Sequence, residues 1–149
     1  MLAGQLALMV AAMFTGAAIY INIAEQPARL QLDERSLLSE WKLAYKRGYM
    51  MQASLAAGGG VLGLIAYFSA LDWRWLIGAA VLLANGPYTI MVIMPTNRRL
   101  MNTAPEAASG ETRRLIEQWG ILHAGRSALG LIATLIFLWA QELSSVPRL

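Results

Sequence analysis

Apolar residues fall into four long runs along the chain: Leu2–Ala24, Tyr49–Leu71, Trp75–Met94 and Ile121–Ala140. A helix that crosses the ~30 Å hydrocarbon core of a bilayer needs roughly 20 mainly apolar residues, so every run is long enough to span. The first run carries no formal charge, and the last is interrupted by His123 and Arg126. The link Asp72-Trp73-Arg74 is short, so the second and third spans form an antiparallel hairpin. The links Glu25–Gly48 and Pro95–Gly120 are long and hold nearly all the charge. The pattern predicts an all-α fold: a four-transmembrane-helix bundle, with residues 1–149 forming a single membrane domain. The spans are placed at about 2–24, 49–71, 75–94 and 117–140.

The links have patterns of their own. Leu30 to Trp41 is amphipathic, and Ser39 to Tyr45 reads as helix running into the second span. This segment is either an interfacial helix, with Trp41 and Tyr45 in the aromatic belt, or a cap over the bundle mouth. In the second long link, Pro105 and the small residues after it predict a flexible turn. The charged first turn of the last helix follows at Glu111-Thr112-Arg113-Arg114. Pro87 is expected to kink the third span. Gly59 and Gly63, and the series Gly120, Ala124 and Ala128, permit close helix approach. They are assigned to packing inside the bundle ahead of a homo-oligomer contact. Trp73 and Trp75 are read as interface anchors, and the methionines as packing or the lining of an adaptable pocket.

Composition narrows the class. Apolar residues make up 57% and charged residues 14%, against roughly 25% charged in an ordinary soluble domain. There is no cysteine, which excludes disulfides, iron–sulfur clusters and thiolate-ligated haem. No Lys or Arg occurs in the first 28 residues, and the first run is too long for a signal-peptide core, so it is expected to stay as a membrane helix.

Four spans put both termini on one side and both long links on the other. The links carry Arg29, Arg35, Lys42, Lys46, Arg47, Arg98, Arg99, Arg113 and Arg114, the terminal side only Arg74 and Arg148. Positive residues are held on the cytoplasmic side. The long links are therefore expected to be cytoplasmic and the termini external, in a bacterial inner membrane. Acidic residues alternate with these basic ones, which argues against a nucleic-acid partner.

Polar side chains inside spans carry the functional information, because lipid cannot satisfy them. Thr15, Asn22, Glu25 and Arg29 share one face of the first helix, and Trp41, Tyr45 and Gln52 one face of the second. Asn85 and Asn97 lie on the third; Trp119, His123, Arg126 and Ser127 follow one face of the fourth. With alternating helix directions, most of these groups meet near the cytoplasmic mouth. Arg126 reads either as a snorkelling arginine paired with Glu25 or Glu117, or as a pocket cation facing an anionic or enolic ligand. His123 is the sole histidine, structural or catalytic. A metal site wants several His, Cys or carboxylate ligands; His123, Glu25 and Asn97 could improvise one, but no metal is predicted.

Three motifs sit on these helices. Trp119, His123 and Arg126 follow a W-x3-H-x2-R pattern at the start of the last helix. Pro95 and Asn97 follow a P-x-N pattern at the end of the third. Thr15-Gly16-Ala17, with Glu25-Gln26-Pro27, follows a small-residue and x-x-P pattern in the first. Together they resemble the anthrone-oxygenase-like family of small four-helix membrane proteins. The resemblance implies oxidation of an apolar aromatic substrate, an anthrone or similar phenolic, by molecular oxygen without a dedicated cofactor. On that reading His123, Arg126 and Asn97 are catalytic: His123 is the base, and the other two stabilise the substrate oxyanion. Glu25 orients the imidazole, and Trp41, Tyr45 and Trp119 sandwich the planar substrate. Asn22 and Arg29 complete the binding set. The residues themselves leave a second class open, in which the cluster binds a lipid or quinone without chemistry or locks a scaffold subunit.

Overall fold

A computed structural model describes residues 2–144; Arg148, counted above on the terminal side, lies outside the described residues. Four rods make up the fold: α1 (Leu2–Arg29), α2 (Glu34–Ala70), α3 (Trp73–Asn102) and α4 (Gly110–Ser144). All four are long and apolar enough to cross a membrane. α1 packs on α2 and α4, and α3 packs on the same two, so the rods form an up-down-up-down ring. Large apolar side chains cover the outside; Ile23, Phe68, Met91 and Ile121 are each more than 70% exposed. In water that surface would drive aggregation, and in lipid it is the expected solvent face.

Local chemistry sets the turns. Asp33 caps α2 by accepting from Ser36 N at 3.1 Å. Asp72 caps α3 in the same way, accepting from Arg74 N at 3.1 Å. Leu71 ends α2 in the left-handed region, φ 52°, with its N–H on Tyr67 O at 2.7 Å.

α1 and α3 share a further device. Ile21–Glu25 and Thr89–Ile93 are single π turns, in which Gln26 N bonds Ile21 O and Met94 N bonds Thr89 O. Pro27 and Pro95 come next. A proline has no N–H and clashes with the carbonyl four residues back, and the wide turn relieves both problems. Pro87 acts similarly. The first segment of α3 ends at Leu83, four residues before it, and helix resumes at Asn85.

The interior is two apolar clusters. One fills the terminal half, with small residues around Phe14, Trp75, Leu82 and Phe137. Gly59 faces Leu82, and Gly63 and Gly78 face the ring of Phe137, so these glycines serve the bundle itself. The second cluster closes the other end: Leu37, Leu38, Trp41, Ile93, Leu100, Ile116 and Trp119.

Three expectations change. The amphipathic link is no separate layer. Residues 30–33 form the whole turn, and the rest continues α2 as helix. Its charges tie helix ends together: Lys42 Nζ donates to Met101 O at 3.1 Å, Arg113 Nη1 to Leu30 O at 2.8 Å, and Arg113 Nε pairs with Glu34 at 3.1 Å. Cations placed on the last carbonyls of α1 and α3 satisfy orphan acceptors and suit the helix dipoles. Trp75 is fully buried, its ring tilted 30° to that of Phe137 with centroids 5.6 Å apart, so it is core, while Trp73 is 56% exposed. Most methionines face outward, among them Met9, Met13, Met50 and Met91, and of the outward ones Met51 lines the groove-like space beside Gly48.

Candidate functional site

Between the two clusters lies a small chamber walled by all four rods. α1 contributes Ile21, Glu25 and Arg29; α2 contributes Tyr45, Tyr49 and Gln52. α3 contributes Ile93 and Asn97, and α4 contributes Trp119, His123 and Arg126. Seven of the nine sequence-predicted site residues thus line one space: His123, Arg126, Asn97, Glu25, Arg29, Tyr45 and Trp119. Asn22 and Trp41 do not.

Trp41 has no exposure and lies behind the wall. It stacks on Tyr45 with centroids 4.9 Å apart and 3° between planes, and meets Trp119 edge-on at 5.7 Å. The three rings pack on one another, so they form a rigid wall and no sandwich around a guest. Apolar surface on Trp41 is better covered by neighbouring rings than left beside a polar chamber.

Glu25 is not bonded to the imidazole. It pairs with Arg29 one turn on, and Arg29 Nε also lies 3.0 Å from Glu40 Oε2. The i,i+4 spacing makes Arg29 the nearer partner. Asn22 takes the place assigned to Glu25: its Oδ1 lies 3.0 Å from His123 Nδ1 and accepts from Ser127 Oγ at 2.8 Å. Asn22 Nδ2 donates to Gly120 O at 2.8 Å, and Gln26 Nε2, one turn on, donates to Ile116 O at 2.8 Å. Two amides on α1 thus grip two successive turns of α4.

Arg126 pairs with neither Glu25 nor Glu117; among the described residues no carboxylate lies within ion-pair distance of it. It is 7% exposed, and its guanidinium sits 5.6 Å over the Phe14 ring. Its Nε has no hydrogen-bond partner among the described residues, nor do Gln52 Nε2, Trp119 Nε1 and Asn97 Oδ1. Three buried donors and one buried acceptor therefore gather in the chamber wall. Each such group costs desolvation with nothing in return unless a guest pairs with it. Gln52 and Tyr49 were not named as site residues. The face shared by Tyr45 and Gln52 was the signal for Gln52; Tyr49 gave none beyond its aromatic ring.

The chamber is narrow, with a cavity of about 20 Å³. Two larger spaces adjoin it. A cavity of about 160 Å³ between α2 and α3 shares Tyr49 and Arg126 with it. A groove of about 370 Å³ between α1 and α2 shares Ile21, Glu25 and Gly48. Among the described residues no three His, Cys, Asp or Glu side chains converge as a metal site.

The sequence profile of the anthrone oxygenase family matches residues 41–136. A protein of Claviceps purpurea (strain 20.1) named anthrone oxygenase is 30% identical over 139 residues, 84% of this chain and 77% of its own. Anthrone oxygenase tpcL of Aspergillus fumigatus is 32% identical over 111 residues, 67% of either chain. Anthrone oxygenase dmxR16 of Cryptosporiopsis sp. is 31% identical over 110 residues, 67% of this chain and 61% of its own. No solved structure matches. The profile match takes in the chamber residues of α2, α3 and α4, from Tyr45 through His123 and Arg126, and on these grounds the chain belongs to the anthrone oxygenase family.

Proposed function

We propose that this protein is a membrane-embedded anthrone oxygenase, which oxidises an anthrone or a similar apolar phenolic with molecular oxygen and no dedicated cofactor. The observation that carries the reading is the presence, in one chamber, of a lone imidazole and an arginine that has no carboxylate partner among the described residues. A buried cation without a counterion suits a site where negative charge develops during reaction.

The chemistry balances with oxygen as the oxidant. His123 takes a proton from the methylene carbon opposite the substrate carbonyl. The electron pair left behind delocalises as an enolate, with its charge on the carbonyl oxygen. Arg126 and Asn97 face that oxygen: the guanidinium offers charge and N–H groups, and the Asn97 amide offers its own N–H. The enolate carbon then gives its electrons to molecular oxygen, and a carbon–oxygen bond forms. Loss of the second methylene hydrogen, with cleavage of the oxygen–oxygen bond, yields the new carbonyl and water. One oxygen atom ends in the quinone, the other in water, together with both hydrogens. General-base help contributes about 10²–10⁴-fold to such a step.

The groove between α1 and α2 is the entry we assign to the substrate, because it opens on the apolar flank of the bundle and leads to the chamber past Glu25. Oxygen uptake and quinone formation, followed with detergent-purified protein and a simple anthrone, test the reading. Wild-type turnover is expected well above the spontaneous rate and is expected to vanish in His123→Ala. Equal rates in the two, with both proteins folded, overturn it and favour the binding or scaffold class.

A further inference from the structure

Asn22 sits in the π turn Ile21–Glu25 and lies outside the chamber wall. Its bonds determine more than the position of α4. The amide nitrogen donates to Gly120 O at 2.8 Å, and a carbonyl can only accept, so the two ends of the amide are distinguished. The amide oxygen is then the atom that meets His123 Nδ1 at 3.0 Å and Ser127 Oγ at 2.8 Å. A neutral imidazole has one N–H and one lone pair. An amide oxygen cannot bond to a lone pair, so the proton must be on Nδ1. Nε2 is left with its lone pair, on the ring edge turned away from Asn22.

We propose that Asn22 is a positioning residue: its amide oxygen holds His123 in the Nδ1–H form, so that Nε2 presents a lone pair to the chamber. This rests on the reading of His123 as the base. The reverse tautomer would put an N–H where the substrate proton has to be received. An isolated imidazole side chain in water favours the Nε2–H form, so the protein must impose the other one. Ser127 donates to the same oxygen, which turns the amide and leaves its second lone pair for the imidazole N–H. Gly120 takes part through its backbone alone, and a Cβ there would lie 2.8 Å from Gln26 Nε2, the neighbouring amide on α1, whose side chain would have to shift.

The chain has one histidine, which makes the test clean. Protein labelled with nitrogen-15 in the imidazole, and purified by a histidine-free tag, gives two nitrogen signals without overlap. Nε2 couples to both ring protons, Nδ1 strongly to one, so each signal is identified. The wild type is expected to show a protonated Nδ1 and a bare Nε2. Asn22→Leu is expected to move the proton to Nε2 in most molecules and to lower kcat by roughly tenfold or more, with a smaller effect on KM. Asn22→Asp keeps an acceptor opposite Nδ1 and is expected to restore the tautomer and part of the rate. A wild-type proton on Nε2 overturns the proposal without any variant, as does an Asn22→Leu spectrum identical to wild type. A tautomer that follows Asn22 while His123→Ala keeps full turnover sinks the base assignment alone and leaves the tautomer assignment standing.

Discussion

Arg126 concentrates the energetic argument at the residue scale. It is 7% exposed, lies over Phe14, and has no carboxylate partner among the described residues. A residue retained for structure would be paired, because an unpaired buried charge costs stability. Arg126→Met is therefore expected to leave the melting temperature unchanged or to raise it, and to lower kcat by about 10²–10³-fold. Thermal denaturation and turnover on the same preparation check this; a marked fall in melting temperature would make Arg126 structural. His123 and Arg126 were legible in the sequence because each is polar inside an apolar run, and Asn97 through the P-x-N motif just past the end of the third run. The partner of the imidazole was not. Helical spacing places Glu25 and Asn22 on one face, and only the structure shows that Arg29 engages the first and His123 meets the second. Trp41 was misplaced for a similar reason: a helical face says which way a ring points, not whether another ring already covers it.

At the scale of single elements, prolines and glycines shape the bundle. The π turns before Pro27 and Pro95 re-aim the helix segments that follow, and the Asn22 grip on α4 comes from one of them. The motifs containing these prolines could be read from the sequence; a π turn could not, since it has no residue signature apart from the proline. Gly78 marks a close contact in the terminal core, because a Cβ there would lie 2.5 Å from the Phe137 ring. Gly78→Val is expected to cost about 1–3 kcal/mol through overpacking, read as an earlier midpoint in denaturant. Gly48 behaves in the opposite way. Nothing lies within 4 Å of a Cβ built there, and it lines the groove between α1 and α2. Gly48→Leu is expected to keep the melting temperature and to lower kcat/KM for a tricyclic substrate roughly tenfold or more. Unchanged kcat/KM would move the substrate's route to the cavity between α2 and α3.

For the whole molecule, span number, helix direction and the meeting of polar groups at one end all follow from run lengths and charge placement. The length of the rods does not. The sequence pattern reads helix from Ser39 and from Glu111, whereas α2 starts at Glu34 and α3 runs on to Asn102, and charged residues of the two links satisfy the carbonyl ends of neighbouring helices. The basic links also carry the orientation we propose from the sequence, with both links cytoplasmic. The chain has no cysteine, so single replacements report cleanly. Ala107→Cys at the link end and Ser69→Cys at the terminal end are both exposed positions. An impermeant thiol reagent added to sealed right-side-out vesicles is expected to label Ser69→Cys only; labelling of Ala107→Cys alone would reverse the orientation.

The most direct test of the central claim follows isotopically heavy oxygen gas into the product of a purified anthrone reaction, with His123→Ala run alongside. The account predicts one heavy atom per quinone, the other in water, and incorporation at the spontaneous level in the variant. Incorporation that is equal in wild type and His123→Ala, or a wild-type quinone whose new oxygen comes from solvent water, would contradict it.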